Sequence, residues 1–315
     1  MKSVASAPAK IILFGEHFVV HGTKAILAAI DKRVTVTSSF TDDKTIKINS
    51  KLGMYETSTL SSYEEAKSEF RPFIYLANKI LESNQNVGGL EITINSDIPV
   101  GVGLGSSSAC CVAATASISG LFHKLSHEEI INLAIDAEKT IFADTSGADS
   151  TVCTYGGIIE YPSIEKIDNR FDLNLVIANS MIPHSTKRSV EKVSKFKEND
   201  EARFSQLCDL ETKLIDGIIL DMKNNNAAAL GLKMSENQKY LEEIQVSNDT
   251  LRDMISSLNK ISLGSKITGA GDGGCIIALV NDENMSKVPA LLGKDKECFS
   301  AKLDTKGVVW SEIEK

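Results

Sequence analysis

Apolar and polar positions alternate with two different periods along this chain, and the change of period marks out its elements. The run KIILF near the start, the alternation in RVTVTSSF and the shorter TIKINS read as strands. The polar Thr41-Asp42-Asp43 between the last two predicts a β-hairpin. A helical period follows from about Phe73 to Leu81, and LEITINSDIPV restores the strand period. SHEEIINLAIDAEKTIF then opens on a capping box, Ser126 to Glu129. The first part of the chain is therefore a mixed α/β unit.

Beyond about Asn174 the apolar strand LVIANS gives way to helical patterns, notably RFSQLCDLETKLIDGIIL and TLRDMISSLNKI, before KITGAG and CIIALV bring strands back. This shift places a domain boundary near residue 172, dividing the chain into 1–172 and 173–315. No repeat or long linker separates the parts, so they should pack directly, with a cleft for a small ligand between them.

The 315 residues, 42% of them hydrophobic, suffice for a real core. A net charge of -8 argues against a broad nucleic-acid surface, which needs clustered Lys and Arg. It leaves room for a local anion site. The six cysteines show no C-x-x-C spacing and read as buried, reduced thiols. Neither a signal peptide nor a run long enough to span a bilayer is evident, so the expectation is a soluble cytoplasmic protein with no membrane partner.

Candidate chemistry concentrates in Pro99 to Cys111, PVGVGLGSSSACC. Gly101, Gly103 and Gly105 free the backbone to turn its N–H groups toward an anion. Ser106, Ser107 and Ser108 then open a small-residue helix, with Ser as the expected N-cap, whose positive end would face that anion. No Lys follows Gly105, so this is not a Walker A loop. A G-x-G-x-x-G spacing from Gly269 to Gly274 leads into a β-branched apolar run, and a Rossmann reading is rejected. An ordinary strand-to-helix turn is the bland alternative for residues 101–108.

Glu138 shares a helical face with Ile131, Ala134, Ile135, Ile141 and Phe142. A carboxylate there needs a partner, either a cation such as Mg2+ or a basic side chain. Asp149 lies among turn formers in TSGADSTVCTYGG and is either an Asx-turn or a base for an alcohol. Lys10, at the start of KIILFG, is the candidate cation beside it, and Glu16-His17 follow where that strand ends. Taken singly, Lys10 reads better as a strand-edge lysine and His17 and His21 as packing residues of a turn; together they point to a site.

PAKIILFGEHFVVHG, PVGVGLGSSSA and KITGAGDGGC together resemble the three motifs of the GHMP kinases, in the family's order and over nearly the whole chain. EKTIFADTSGADSTVCTYGG and PHSTKRSV strengthen the likeness to the branch that phosphorylates mevalonate. The resemblance implies an α+β fold with a ribosomal-protein-S5 domain 2-like N-terminal domain and a ferredoxin-like C-terminal domain, the strand around KGVVW returning to the first. It implies ATP and mevalonate as ligands, Mg2+ as the metal, and allows a homodimer.

Carried over by residue, Pro99, Gly101, Val102, Gly103, Leu104, Gly105, Ser106, Ser107 and Ser108 would bind ATP. Ser107 and Glu138 would ligate Mg2+, Asp149 would be the base, and Lys10 would stabilise the alkoxide. Lys10, Glu16, His17, Asp149, Thr186, Gly269, Ala270 and Gly271 would surround mevalonate, with His184 and Lys187 as weaker candidates. Two positions depart from the family pattern: Ala9 replaces a usual Gly, and Asp272 interrupts the third glycine run and should point away from the phosphates. The alternatives are a phosphomevalonate kinase, a diphosphomevalonate decarboxylase, or a non-catalytic sensor of the same fold.

Overall fold

The computed structural model describes residues 2–84, 88–99, 101–142, 145–168, 174–183, 185–293 and 295–311. The expected boundary near residue 172 and the candidate His184 lie outside the described residues.

Strands β1 (Lys2–Phe14) and β2 (Ala25–Thr41) pair antiparallel along most of their length. The short β3 (Thr45–Ser50) and β4 (Gly53–Ser58) form the true hairpin, and α1 (Arg71–Ser83) leads to β5 (Gly89–Ser96). The predicted pairing of β2 with β3 is wrong. β5 lies between them, antiparallel to β2 through Val36 and Ile94 and parallel to β3 through Ile48 and Ile92.

The physical reason lies in two glycines. A Cβ on Gly88 would stand 2.1 Å from the Thr41 carbonyl oxygen, and one on Gly89 1.9 Å from that of Thr45. Only bare backbone fits into the mouth of the 41–45 turn, and β5 enters there. Its alternating Leu90, Ile92 and Ile94 are then buried as a central strand requires.

Helices α2 (Ser106–Ser119) and α4 (Ala148–Tyr155) pack on this sheet, and α3 (His127–Glu138) packs on both of them. α2 is buried on nearly every side, as its run of Ala, Cys and Ser permits. Its N-cap is Gly105 in the left-handed conformation, not a serine, so all three serines fall inside the first turn. α3 carries the expected capping box but ends at Glu138, leaving Ile141 and a half-exposed Phe142 outside it. β6 (Ile158–Tyr161) pairs with β2, and the two-residue β7 (Glu165–Lys166) pairs with β6.

A second sheet follows from β8 (Leu175–Asn179). Four helices come next: α5 (Thr186–Asn199), α6 (Glu201–Lys223), α7 (Ala227–Glu243) and α8 (Asp249–Leu258). β9 (Ser262–Ile267), β10 (Cys275–Val280), the short α9 (Asp282–Met285) and α10 (Val288–Leu292), and β11 (Glu297–Ala301) complete it in the antiparallel order β11-β8-β10-β9. α7 presses on β9 where two glycines meet, since a Cβ on Gly264 would lie 1.8 Å from the Gly231 oxygen.

β12 (Val309–Trp310) rejoins the first sheet beside β1, pairing Ala5 with Trp310. The Trp310 indole also donates to the Ala116 carbonyl of α2 at 3.0 Å.

All six cysteines are free, but only Cys111, Cys153 and Cys275 are buried. Cys110, Cys208 and Cys298 are partly accessible, because an apolar neighbourhood in sequence does not say which face a side chain takes. Among the described residues no helix is long and apolar enough to cross a membrane.

Candidate active site

β1 delivers Lys10 to the middle of the molecule, where the residue is 4% exposed and its N–H donates to the Leu104 carbonyl at 3.0 Å. The side chain runs past Gly105, where a Cβ would stand 2.7 Å from Lys10 Cγ. Its Nζ reaches Asp149 Oδ2 at 3.0 Å. Asp149 sits in the first turn of α4, after Gly147 at φ +77°, where the helix dipole favours a negative charge.

The glycine loop lies beside this pair. Gly101, Gly103 and Gly105 have φ of 74°, 84° and 71°, the left-handed region a Cβ disfavours. The first-turn N–H groups of α2 lack intrahelical partners and point out of its N-terminus, an arrangement suited to phosphate.

Glu138 is 4% exposed and accepts hydrogen bonds from Ser108 Oγ at 2.7 Å and Ser150 Oγ at 3.1 Å. Burial raises its pKa, and the charge of Asp149 adds to the rise. Among the described residues no lysine or arginine pairs with it.

A cavity of about 1060 Å³ joins these groups. It is bordered by Lys10, Glu16, His17, Asp149, Thr186, Gly269 and Ala270, and by Pro99, Gly101, Gly103, Leu104, Gly105, Ser106, Ser107, Ser108 and Glu138. Leu52, Phe73, Ile94 and Ile98, from the β3–β4 turn, α1 and the end of β5, add an apolar wall that sequence reading did not assign.

One carboxylate and one hydroxyl facing phosphate-sized space are the protein ligands a divalent cation needs when nucleotide oxygens complete its shell. Glu138, short of positive partners, and Ser107, bordering the same cavity, fit such an ion. Among the described residues no group of three or more His, Cys, Asp or Glu could hold a metal by itself.

The family models for the GHMP kinases N terminal domain and the GHMP kinases C terminal match residues 72–157 and 218–290. A mevalonate kinase of Thermococcus sibiricus is 34% identical, over 92% of this chain and 93% of its own. One from Methanothermobacter thermautotrophicus is 33% identical over 98% and 100%. The chain belongs to the GHMP kinases, in their mevalonate kinase branch.

Solved structures agree. The Methanococcus jannaschii mevalonate kinase superimposes with a TM-score of 0.85 at 28% identity, covering 96% of this chain and 98% of that one. The L. major mevalonate kinase in complex with R-mevalonate gives 0.81 at 25% identity, covering 95% and 94%. This GHMP kinase is thus an ATP-dependent kinase with the two-domain fold expected of the family.

Within this GHMP kinase the third glycine segment closes on the first motif. Thr268 exchanges hydrogen bonds with the Ile12 backbone at 2.9 and 3.0 Å, and His17 Nε2 donates to the Ala270 carbonyl at 2.9 Å. That bond fixes the proton on Nε2, and burial lowers the pKa of the ring. Gly271 packs away from the cavity, where a Cβ would lie 2.2 Å from the Val246 oxygen. Val102 is buried, and Lys187 does not border the cavity either. His21 is exposed, with its ring edge-on to Phe204 at 4.8 Å, and does not border the cavity.

Asp272 is paired with Lys192 of α5, whose Nζ donates to Asp272 Oδ1 at 2.7 Å. Asp272 adopts φ 59°, and its N–H donates to the Val246 carbonyl at 2.7 Å.

Sequence reading missed Lys266 and Glu211. Lys266 opens the KITGAG motif and is fully buried in an ion pair with Glu16; Glu211, also fully buried, accepts the Gly15 N–H at 2.9 Å. Neither carries a signal in sequence: Lys266 follows Ser265 in SLGSKI, and Glu211 lies among polar and apolar residues of α6.

Proposed function

We propose that this GHMP kinase transfers the γ-phosphoryl group of MgATP to the primary hydroxyl of mevalonate, giving 5-phosphomevalonate and ADP. The observation that carries the reading is the Lys10–Asp149 contact at 3.0 Å, on the wall of the cavity that also holds the glycine loop and Glu138.

Asp149, about a third exposed, stands where it can accept the hydroxyl proton, and Lys10 offsets the charge that develops on the acceptor oxygen. The backbone N–H groups of residues 101–108 hold the phosphates in line with that oxygen. Ser107 and Glu138 would hold Mg2+, which when bound would neutralise phosphate charge. Glu16, His17, Thr186 and the Gly269–Ala270 backbone enclose the acceptor.

ADP and inorganic phosphate release are followed from MgATP with mevalonate, phosphomevalonate, diphosphomevalonate, homoserine and galactose. ADP formed with mevalonate alone, without phosphate release, is the expected result. Turnover of another alcohol moves the assignment within the family, and silence across the panel favours a sensor.

A further inference from the structure

Behind Glu16 lies a set of buried charges that the chemistry above does not use. Glu16, Lys266 and Glu211 are each fully buried. Lys266 Nζ pairs with Glu16 Oε1, donates to the Ile267 carbonyl at 2.6 Å, and stands 5.7 Å from the centre of the Phe14 ring. Glu211 accepts the Gly15 N–H through Oε1 at 2.9 Å and the Asn237 amide through Oε2 at 2.7 Å.

Two carboxylates and one ammonium in the interior are costly to bury, and apolar residues of the same volume would give a more stable junction. Stability alone therefore does not account for the cluster, and its geometry suggests what it does instead. Gly15 has φ +92°, and its N–H is the first group of the turn that aims Glu16 and His17 into the cavity. Glu211, reaching across from α6, holds that N–H in place. Lys266, reaching from β9, occupies one oxygen of Glu16, while the other, Oε2, is buried and without a partner. An orphaned carboxylate oxygen in a residue bordering the cavity is an acceptor waiting for a ligand hydroxyl.

We propose that Lys266 and Glu211 are positioning residues for the acceptor alcohol: together they fix the Gly15–Glu16 turn so that Glu16 Oε2 takes a hydroxyl of the substrate. This rests on the reading of the cavity as the acceptor site given above. Neither residue touches the reacting atoms; both act through Glu16.

The test is steady-state kinetics on the full chain, with Glu211→Ala, the volume-filling Glu211→Met and the isosteric Glu211→Gln, each checked for folding by circular dichroism. Glu211→Ala and Glu211→Met raise KM for mevalonate about 10- to 100-fold, the scale set by misplacing a binding group by an ångström, and leave KM for ATP within about twofold. Glu211→Gln still accepts from Gly15 and restores KM to within about threefold of wild type. In a Glu16→Gln background the further effect of Glu211→Ala shrinks below about threefold, because the two residues act as one unit.

Equal movement of both KM values, no movement of either, or multiplicative effects in the double variant overturns the proposal. Wild-type silence with mevalonate, but turnover of another alcohol, refutes the substrate assignment alone; the same KM split is then read on that alcohol, and its absence there overturns the positioning role.

Discussion

Lys10 crosses Gly105 so closely that a Cβ on the glycine would stand 2.7 Å from its Cγ and 3.0 Å from its Cε. The glycine is needed twice, for its φ of 71° and for the passage of the lysine to Asp149. Gly105→Ala should cost about 1–2 kcal/mol from the left-handed backbone alone. It should also lower kcat by on the order of 100-fold by displacing the ammonium. Thermal melts and ADP release measure the two effects separately, and a variant of unchanged kcat would show that the lysine needs no such passage.

Asp149→Asn keeps the shape of the acid but removes its capacity to take a proton. A loss of about 10²–10⁴ in kcat is expected, with ATP affinity retained. Nucleotide titration monitors the second half: if ATP binding is lost as well, Asp149 holds the site together and is not its base.

Glu138→Gln leaves the hydrogen bonds from Ser108 and Ser150 an oxygen to reach but removes the charge a cation needs. The Mg2+ concentration for half-maximal rate should rise at least about tenfold. An unshifted Mg2+ titration would remove Glu138 from the metal site.

Burial, reinforced by the negative charge of Glu16, pushes Glu211 from an ordinary 4.5 up to about 7. Between those values the folded protein binds more protons than the unfolded chain, so this residue makes stability fall as pH rises through the window. Glu211→Gln does not titrate. Relative to wild type it should gain on the order of 3 kcal/mol between about pH 4.5 and pH 7, and urea melts at both ends of that range measure the gain. A stability difference independent of pH would place Glu211 at its ordinary pKa.

Asp272 is held by Lys192, which draws its carboxylate toward α5. Asp272→Gly removes a largely buried ion pair with Lys192, which is worth more than a surface pair, and relieves a left-handed backbone cost of about 1–2 kcal/mol. The two effects oppose each other, so stability should fall by about 2 kcal/mol, and ATP affinity should be unaltered. A marked gain in ATP affinity would mean that the carboxylate does face the phosphates.

How much of this was readable beforehand depends on how local each feature is. The glycine loop and α2 lie in one stretch of sequence because phosphate binding needs turn, free N–H groups and helix start in succession, and Gly101 to Ser108 spell that out. The position of β5 was not readable, since the polar Thr41-Asp42-Asp43 turn serves a hairpin and an inserted strand equally well. What separates the two is the fit of Gly88 and Gly89 against a turn more than forty residues earlier. The Lys10–Asp149 contact could be anticipated from their chemistry and the family motifs. Lys266 and Glu211 escaped because a buried charge inside a strand or helix looks, in sequence, like any solvated one.

β12 carries a further consequence, for synthesis. β1 leaves the ribosome early, yet Trp310, which pairs with Ala5 and caps the end of α2, is translated some three hundred residues later. At ordinary elongation rates that interval is about 15 to 60 s. Throughout it Ala5 and Ser6 lack, on one flank of β1, the strand they pair with in the folded protein, while further along Lys10 meets Leu104, made far earlier. The nascent chain thus carries a short unpaired edge at Ala5–Ser6 until its last strand is made, and a chaperone that shields this edge should raise the yield of folded protein.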